Sequence, residues 1–165
     1  MQAPLGLWDP MGFLKNADQE RFELLRRYEV KHGRVAMLAM VGHIVTAAGY
    51  RNSFDVAPGL PFSQMKAGLA AFETIPAWGT FQILLFVGLL EWGFEYQEKN
   101  IANYCKELMN EWGWSAATQK RKDAIEVNNG RAAQMGILTL MVHEKLDNNP
   151  YIINSLLGAP VPFNQ

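Results

Sequence analysis

One motif occurs twice in this chain, and it restricts the possible folds more than any other feature. The segment EVKHGRVAMLAM, residues 29–40, returns as EVNNGRAAQMGI at residues 126–137. Glu29 aligns with Glu126, Val30 with Val127, Gly33 with Gly130, Arg34 with Arg131 and Ala36 with Ala133. Each copy sets a carboxylate and a guanidinium at the mouth of an apolar run, where an isolated charge is costly. On an α-helix, positions five apart are separated by about 140°, so Glu29 and Arg34 lie on nearly opposite faces. They cannot form the i,i+4 pair of a solvated helix, and neither can Glu126 and Arg131. The expected solution is exchange. Two such helices, running parallel and crossing about a pseudo-two-fold axis, bring Glu29 to Arg131 and Glu126 to Arg34. Small residues at the crossing (Gly33, Ala36, Gly130, Ala133 and the Ala132-x-x-x-Gly136 pair) let the backbones approach.

Three apolar stretches supply the helices, at residues 35–50, 78–96 and 132–142. They are rich in Ala, Leu and Met and hold no interior proline, which favours helix. All are apolar around most of their circumference, so periodicity assigns no buried face. Each falls short of the roughly 20 uninterrupted apolar residues of a simple spanning helix. Helix 1 is expected over about 20–50, helix 2 over about 77–100 and helix 3 over about 121–146. Pro58, Gly59, Pro61 and Pro76 break residues 51–77 into loops. Residues 97–125 read as a polar loop with its own surface helix around IANYCKELMNEW. After Asn148-Asn149-Pro150, YIINSLLG reads as a short amphipathic turn or helix.

Charge gives this arrangement its sidedness. If all three helices span a membrane, the segment before helix 1 and loop 97–125 share one face. That face carries Lys15, Arg21, Arg26, Arg27, Lys31, Lys99, Lys106, Lys120, Arg121 and Lys122, against Arg51, Lys66 and Lys145 on the other. The asymmetry marks the first face as the non-translocated one. Trp78, Trp92, Tyr96, Trp112 and Trp114 suit the interfaces. The mean hydropathy of −0.08 opposes a membrane reading, since it is that of a soluble protein.

Composition excludes several other classes. A net charge of −1, from 15 basic and 16 acidic side chains, gives no reason to expect nucleic acid. Cys105 is the only cysteine, so neither an internal disulfide nor a cysteine zinc cluster can form. The segment MQAPLGLWDPMGFL lacks a basic region followed by a long apolar core; no secretory signal is expected, and any targeting peptide is absent or already removed.

A carboxylate held by arginine through one oxygen can offer the other to a hard magnesium ion, which prefers oxygen donors and in pigments also accepts imidazole. Glu29 and His32 lie three residues apart on one face, and Glu126 and Asn129 repeat the spacing. His143 falls on the face of Asn129, roughly 21 Å further along the helix, and His43 follows His32 at only about 20° around it. Donors in such rows are spaced as separate sites and do not cluster into one polydentate cage.

EVKHGRVAMLA, EVNNGRAAQMG and the preceding LGLWDPMGF resemble the light-harvesting chlorophyll-binding family, and ILTLMVHEKL with PYIINSLLGAPV is most similar to its algal chlorophyll a/c branch, the fucoxanthin- and peridinin-associated antennae. The resemblance covers nearly the whole chain. It implies an all-α membrane protein, a single chlorophyll-binding domain over 1–165 with three transmembrane helices, the first and third crossing, plus short amphipathic surface helices. It implies chlorophyll magnesium ligands at Glu29, His32, Glu126, Asn129 and His143, with Arg34 and Arg131 as ion-pair partners. The family also uses a Gln and a Glu on helix 2, for which Gln82 and Glu91 are the nearest candidates, with Glu95 competing. His43 is a further candidate for a pigment contact. Trp8-Asp9-Pro10 matches a segment near a carotenoid end group. The implied cofactors are chlorophyll a, chlorophyll c and xanthophylls, with two carotenoids bracing the crossing; peridinin is favoured over fucoxanthin, and diadinoxanthin is included. Implied partners are thylakoid lipids, neighbouring antenna subunits and a photosystem I or II core. The implied location is the plastid thylakoid membrane, with the N-terminus and loop 97–125 stromal. Pigments covering the helices would also reconcile the low hydropathy with a membrane.

The function this implies is light harvesting without enzymatic activity, with an energy-dissipating, photoprotective role in the same family as the alternative. A di-iron carboxylate bundle enzyme is remote: Glu29-x-x-His32 fits, but the second copy reads Glu126-x-x-Asn129 and the arginines oppose a cationic pair. His143-Glu144 begins like a zinc-protease motif but lacks the second histidine, and no phosphate-binding loop or nucleophile elbow occurs.

Overall fold

The computed structural model describes residues 6–146 and Leu156. The chain is mostly helical. There are three long helices: α1 (Gln19–Ala47) is joined to α3 (Ala77–Glu111) by a loop holding the one-turn α2 (Ala71–Thr74), and α3 is joined to α4 (Ala116–Leu146) by a short turn. Asp18 starts α1, its Oδ1 accepting the Arg21 N–H at 2.9 Å. A glycine in the left-handed region ends it. Gly49 (φ 84°) lets its own N–H reach the Thr46 carbonyl and the Tyr50 N–H reach that of Val45. This is the paired bonding of a Schellman end, and it stops the helix short of residue 50.

The same device corrects the expectation of a polar loop over 97–125. Helix α3 continues to Glu111 and absorbs the segment assigned to a separate surface helix. Nothing between residues 97 and 111 breaks a helix: there is no Gly or Pro, and Glu, Lys, Ala, Leu and Met dominate. The break comes at Gly113 (φ 69°), whose N–H bonds the Asn110 carbonyl while Trp114 bonds that of Met109. Helix α4 then starts at Ala116, ahead of the expected 121.

The described residues form two compact units. One comprises the described residues up to Met40 with Ala116–Ile137, the other Val41–Ser115 with the described residues from Leu138 onward. In the first, the core is a seam of small residues. Gly33 and Ala36 of α1 and Val127 and Gly130 of α4 are buried. A Cβ built on Gly33 would stand 2.9 Å from the Gly130 Cα, and one on Gly130 would stand 2.9 Å from the Gly33 Cα, so backbone touches backbone. A Cβ built on Gly136 would make ordinary contact with the Met40 side chain, Ala133 is half-buried, and Ala132 faces outward, contrary to its expected place at the crossing.

The second unit holds a feature absent from the all-α expectation. Strands β1 (Asp55–Ala57) and β2 (Leu60–Pro61) pair antiparallel, Asp55 opposite Pro61 and Ala57 opposite Leu60. Their turn is Pro58-Gly59, with Gly59 at φ 81°, a hairpin signal present in the sequence. Two 3-10 turns follow, Phe62–Gln64 and Gly68–Ala70. Ala67 is buried there. The segment 78–98 of α3 presents apolar side chains on every face, Trp78 at 68% and Trp92 at 73% exposure. By length and composition Ala77–Glu98 can cross a membrane, the one such span among the described residues. The expected helix within YIINSLLG falls outside the described residues, apart from the helical Leu156.

Candidate functional site

The two glutamates of the repeated motif are held across the helix crossing. Arg131 donates Nε–H to Glu29 Oε1 at 2.6 Å, and Arg34 donates Nε–H to Glu126 Oε1 at 2.5 Å. Each arginine thus reaches the opposite helix, as the 140° separation along a single helix requires. The glutamates are half-buried, 34% exposed, and the arginines more open at 53% and 63%. Gln134 adds a weaker tie, its Nε2 donating to the Glu29 carbonyl at 3.4 Å. Both ion pairs engage Oε1 of the glutamate, and Oε2 is the second donor atom each carboxylate carries.

One turn along α1, His32 is exposed and its ring is oriented by the backbone. Nδ1–H donates to the Tyr28 carbonyl at 2.7 Å. A neutral imidazole bonded in this way carries its lone pair on Nε2, pointing away from the helix, which is the state a metal ligand needs. Asn129, the counterpart on α4, is likewise exposed.

In the second unit His43 and His143 are half-buried, and His143 has its Nε2 shut off from solvent. Gln82, Glu91 and Glu95 are exposed on α3. Gln82 and Glu91 are nine residues apart, which puts them about 180° around the helix from each other. No three His, Cys, Asp or Glu converge into a metal cage among the described residues. The donors are therefore solitary. That suits an ion whose other coordination sites are already filled by a macrocycle, and it does not suit a di-iron centre.

At the N-terminal turn, Trp8 stands 72% exposed beside Asp9. Asp9 is committed to the backbone: Oδ1 accepts the Phe13 N–H at 3.0 Å and Oδ2 the Leu14 N–H at 2.8 Å. A cavity of about 260 Å³ lies nearby, lined by Leu7, Leu14, Ala17, Asp18, Gln19 and Phe22.

Sequence reading missed two side chains that organise the loop. Arg51 donates Nη1–H to the Thr46 carbonyl at 2.6 Å and to that of Tyr50 at 2.9 Å, and Nε–H to Met65 at 3.2 Å. A basic residue just beyond a glycine-terminated helix is a short-range signal for the bonds to Thr46 and Tyr50, though not for the one to Met65. Glu144 accepts the N–H of Leu69 and of Ala70, both at 2.9 Å. No local pattern announces that contact.

The sequence profile of the family described as chlorophyll A-B binding protein matches residues 1–145. This chain belongs to that family. Among its relatives, fucoxanthin-chlorophyll a-c binding protein D, chloroplastic, of Macrocystis pyrifera is 49% identical, covering 99% of this chain and 93% of the relative. Protein B of the same alga is 50% identical over 99% of this chain and 78% of its own length. Protein B of Phaeodactylum tricornutum is 44% identical over 90% and 78%. The resemblance to the algal chlorophyll a/c antennae stands. The preference for peridinin finds no support, because these relatives carry fucoxanthin in their names.

Proposed function

We propose that this chlorophyll a-b binding family member is a light-harvesting antenna subunit of the plastid thylakoid membrane. It would hold chlorophylls and carotenoids in fixed geometry and pass excitation toward a photosystem, without making or breaking bonds. The observation that carries the reading is the crossing. Two carboxylates are each fixed by the opposite helix's guanidinium, at a point where backbones touch at Gly33 and Gly130. Such a carboxylate is immobile, keeps a second oxygen, and has its charge compensated, which is what a single axial ligand to magnesium requires.

Residue by residue, Glu29 and Glu126 would bind through Oε2, His32 through Nε2, Asn129 through its amide oxygen and His143 through its ring. Gln82 and Glu91 are the proposed donors on α3, with His43 in pigment contact and Trp8-Asp9 beside a carotenoid. Bound chlorophylls supply the absorption and the excitation transfer; the protein fixes their separation and orientation and tunes their energies. The names of the relatives favour chlorophyll a, chlorophyll c and fucoxanthin as the pigment set. Three helices would span as one domain. Ala77–Glu98 qualifies by composition alone. At 29 and 31 residues, α1 and α4 exceed the roughly 20 a bilayer needs, and four of their charges are paired at the crossing as Glu29–Arg131 and Glu126–Arg34. The excess of Lys and Arg near the N-terminus and over 97–125 supports a stromal placement of both.

Purification from thylakoids with pigment extraction tests this directly. Chlorophyll a, chlorophyll c and a xanthophyll should travel with the chain. A colourless preparation that stays folded overturns the reading.

A further inference from the structure

We propose that Glu144 is the residue that positions His143, by clasping the loop before α2. The proposal rests on the reading of His143 as a chlorophyll ligand. Glu144 sits in the last turn of α4, where four carbonyls lack intrahelical partners and the backbone tends to fray. Its two carboxylate oxygens accept separate backbone N–H groups, Oε2 from Leu69 and Oε1 from Ala70, each at 2.9 Å. Two charge-assisted bonds from consecutive amides fix a carboxylate in both position and rotation. Gly68 completes the clasp for two independent reasons: it adopts φ 66°, and a Cβ there would run into the Glu144 carboxylate. His143 is the adjacent residue, with its Nε2 buried. Holding the turn at Glu144 holds the Cα and the ring direction of His143. The His-Glu pair that resembles a broken protease motif is, on this account, a ligand followed by its anchor.

The full chain refolded with pigments gives the test, comparing wild type with His143→Leu, Glu144→Ala, Glu144→Gln and Gly68→Ala. The readouts are chlorophyll per protein, circular dichroism in the chlorophyll bands, and amide hydrogen exchange at Leu69 and Ala70. His143→Leu should lose one chlorophyll and its dichroic band while both amides stay protected. Glu144→Ala should weaken that same band and speed exchange at both amides at least about tenfold. Glu144→Gln keeps one acceptor but turns its NH2 toward the other backbone N–H, so it should restore the band only in part. Gly68→Ala keeps the Glu144 side chain but pushes its carboxylate off the two amides, covers the case in which Glu144→Ala fails to fold, and should weaken the same band. If His143→Leu keeps every chlorophyll, the ligand reading fails. If it loses one, yet Glu144→Ala and Gly68→Ala free the amides and leave that band intact, the clasp belongs to the loop alone and the positioning role is wrong. Unchanged exchange in Glu144→Ala means the clasp is not made, which also overturns it.

Discussion

On the proposed function, Glu29 and Glu126 would each carry two duties, and the duties can be separated by mutation. In the proposed site the carboxylate ties two helices through Oε1 and binds magnesium through Oε2. Glu29→Ala removes both functions and strands Arg131. We expect the loss of one chlorophyll and a destabilisation of about 1–3 kcal/mol, between an exposed pair and a fully buried one. Thermal melting of the refolded complex with pigment analysis measures both. Reversing the pair, Glu29→Arg with Arg131→Glu, restores the attraction but moves the carboxylate to the other helix. Melting should largely recover while the chlorophyll stays lost; recovery of both would mean that the ligand is not Glu29. His32 is different, because its Nδ1 bond to Tyr28 is made within one helix and owes nothing to the crossing. His32→Leu should remove a chlorophyll with a much smaller change in melting temperature.

At the scale of elements, the crossing depends on glycine. The 2.9 Å approach of a Cβ on Gly33 to the Gly130 Cα leaves no room for a methyl group, and backbone cannot rotate aside as a side chain can. Gly33→Ala should separate the helices by a few tenths of an ångström and cost about 1–3 kcal/mol, as overpacking does in tight cores. Weakened dichroism from pigments at the crossing, together with a lower melting temperature, would register the shift; an unchanged complex would show that the two backbones do not meet there. The seam was partly legible beforehand. The repeat names Gly33, Gly130 and Ala36, and all three are buried. Ala132 lies outside the seam, since a small-residue spacing does not say which way a side chain faces. The helix ends at Gly49 and Gly113 were not legible in this way, because the left-handed backbone that stops each helix is set by the fold, and the change from apolar to polar residues near 97 does not stop one.

At the scale of the molecule, packing of protein against protein is sparse among the described residues. Among the described residues the buried apolar side chains are Ala36, Ala67 and Val127, while Trp78, Phe86, Leu84 and Trp92 stand open. Exposed apolar surface on this scale marks a chain whose natural surroundings are not water. Pigment and lipid are proposed to cover it, and this also answers the mean hydropathy of −0.08. Helices covered partly by ring systems need fewer apolar residues of their own. Gentle extraction of the carotenoids should therefore abolish cooperative thermal unfolding while much far-ultraviolet helix signal remains; a sharp transition surviving extraction would show that the protein packs by itself. The isolated pigmented complex should fluoresce with a lifetime of nanoseconds, and strong shortening under all conditions would favour the dissipative role.

The sequence alone determined the charge exchange, because two charges on opposite sides of one helix in apolar surroundings can be neutralised only by another helix. It also determined the three long helices and the glycines at the crossing. What tertiary structure alone decided is how the distant parts meet. Glu144 on Leu69 and Ala70 and Arg51 on Met65 join segments whose spacing carries no period and no motif. Local rules describe a residue's neighbours along a helix. They do not describe which backbone amide a carboxylate will meet after the chain has folded back on itself.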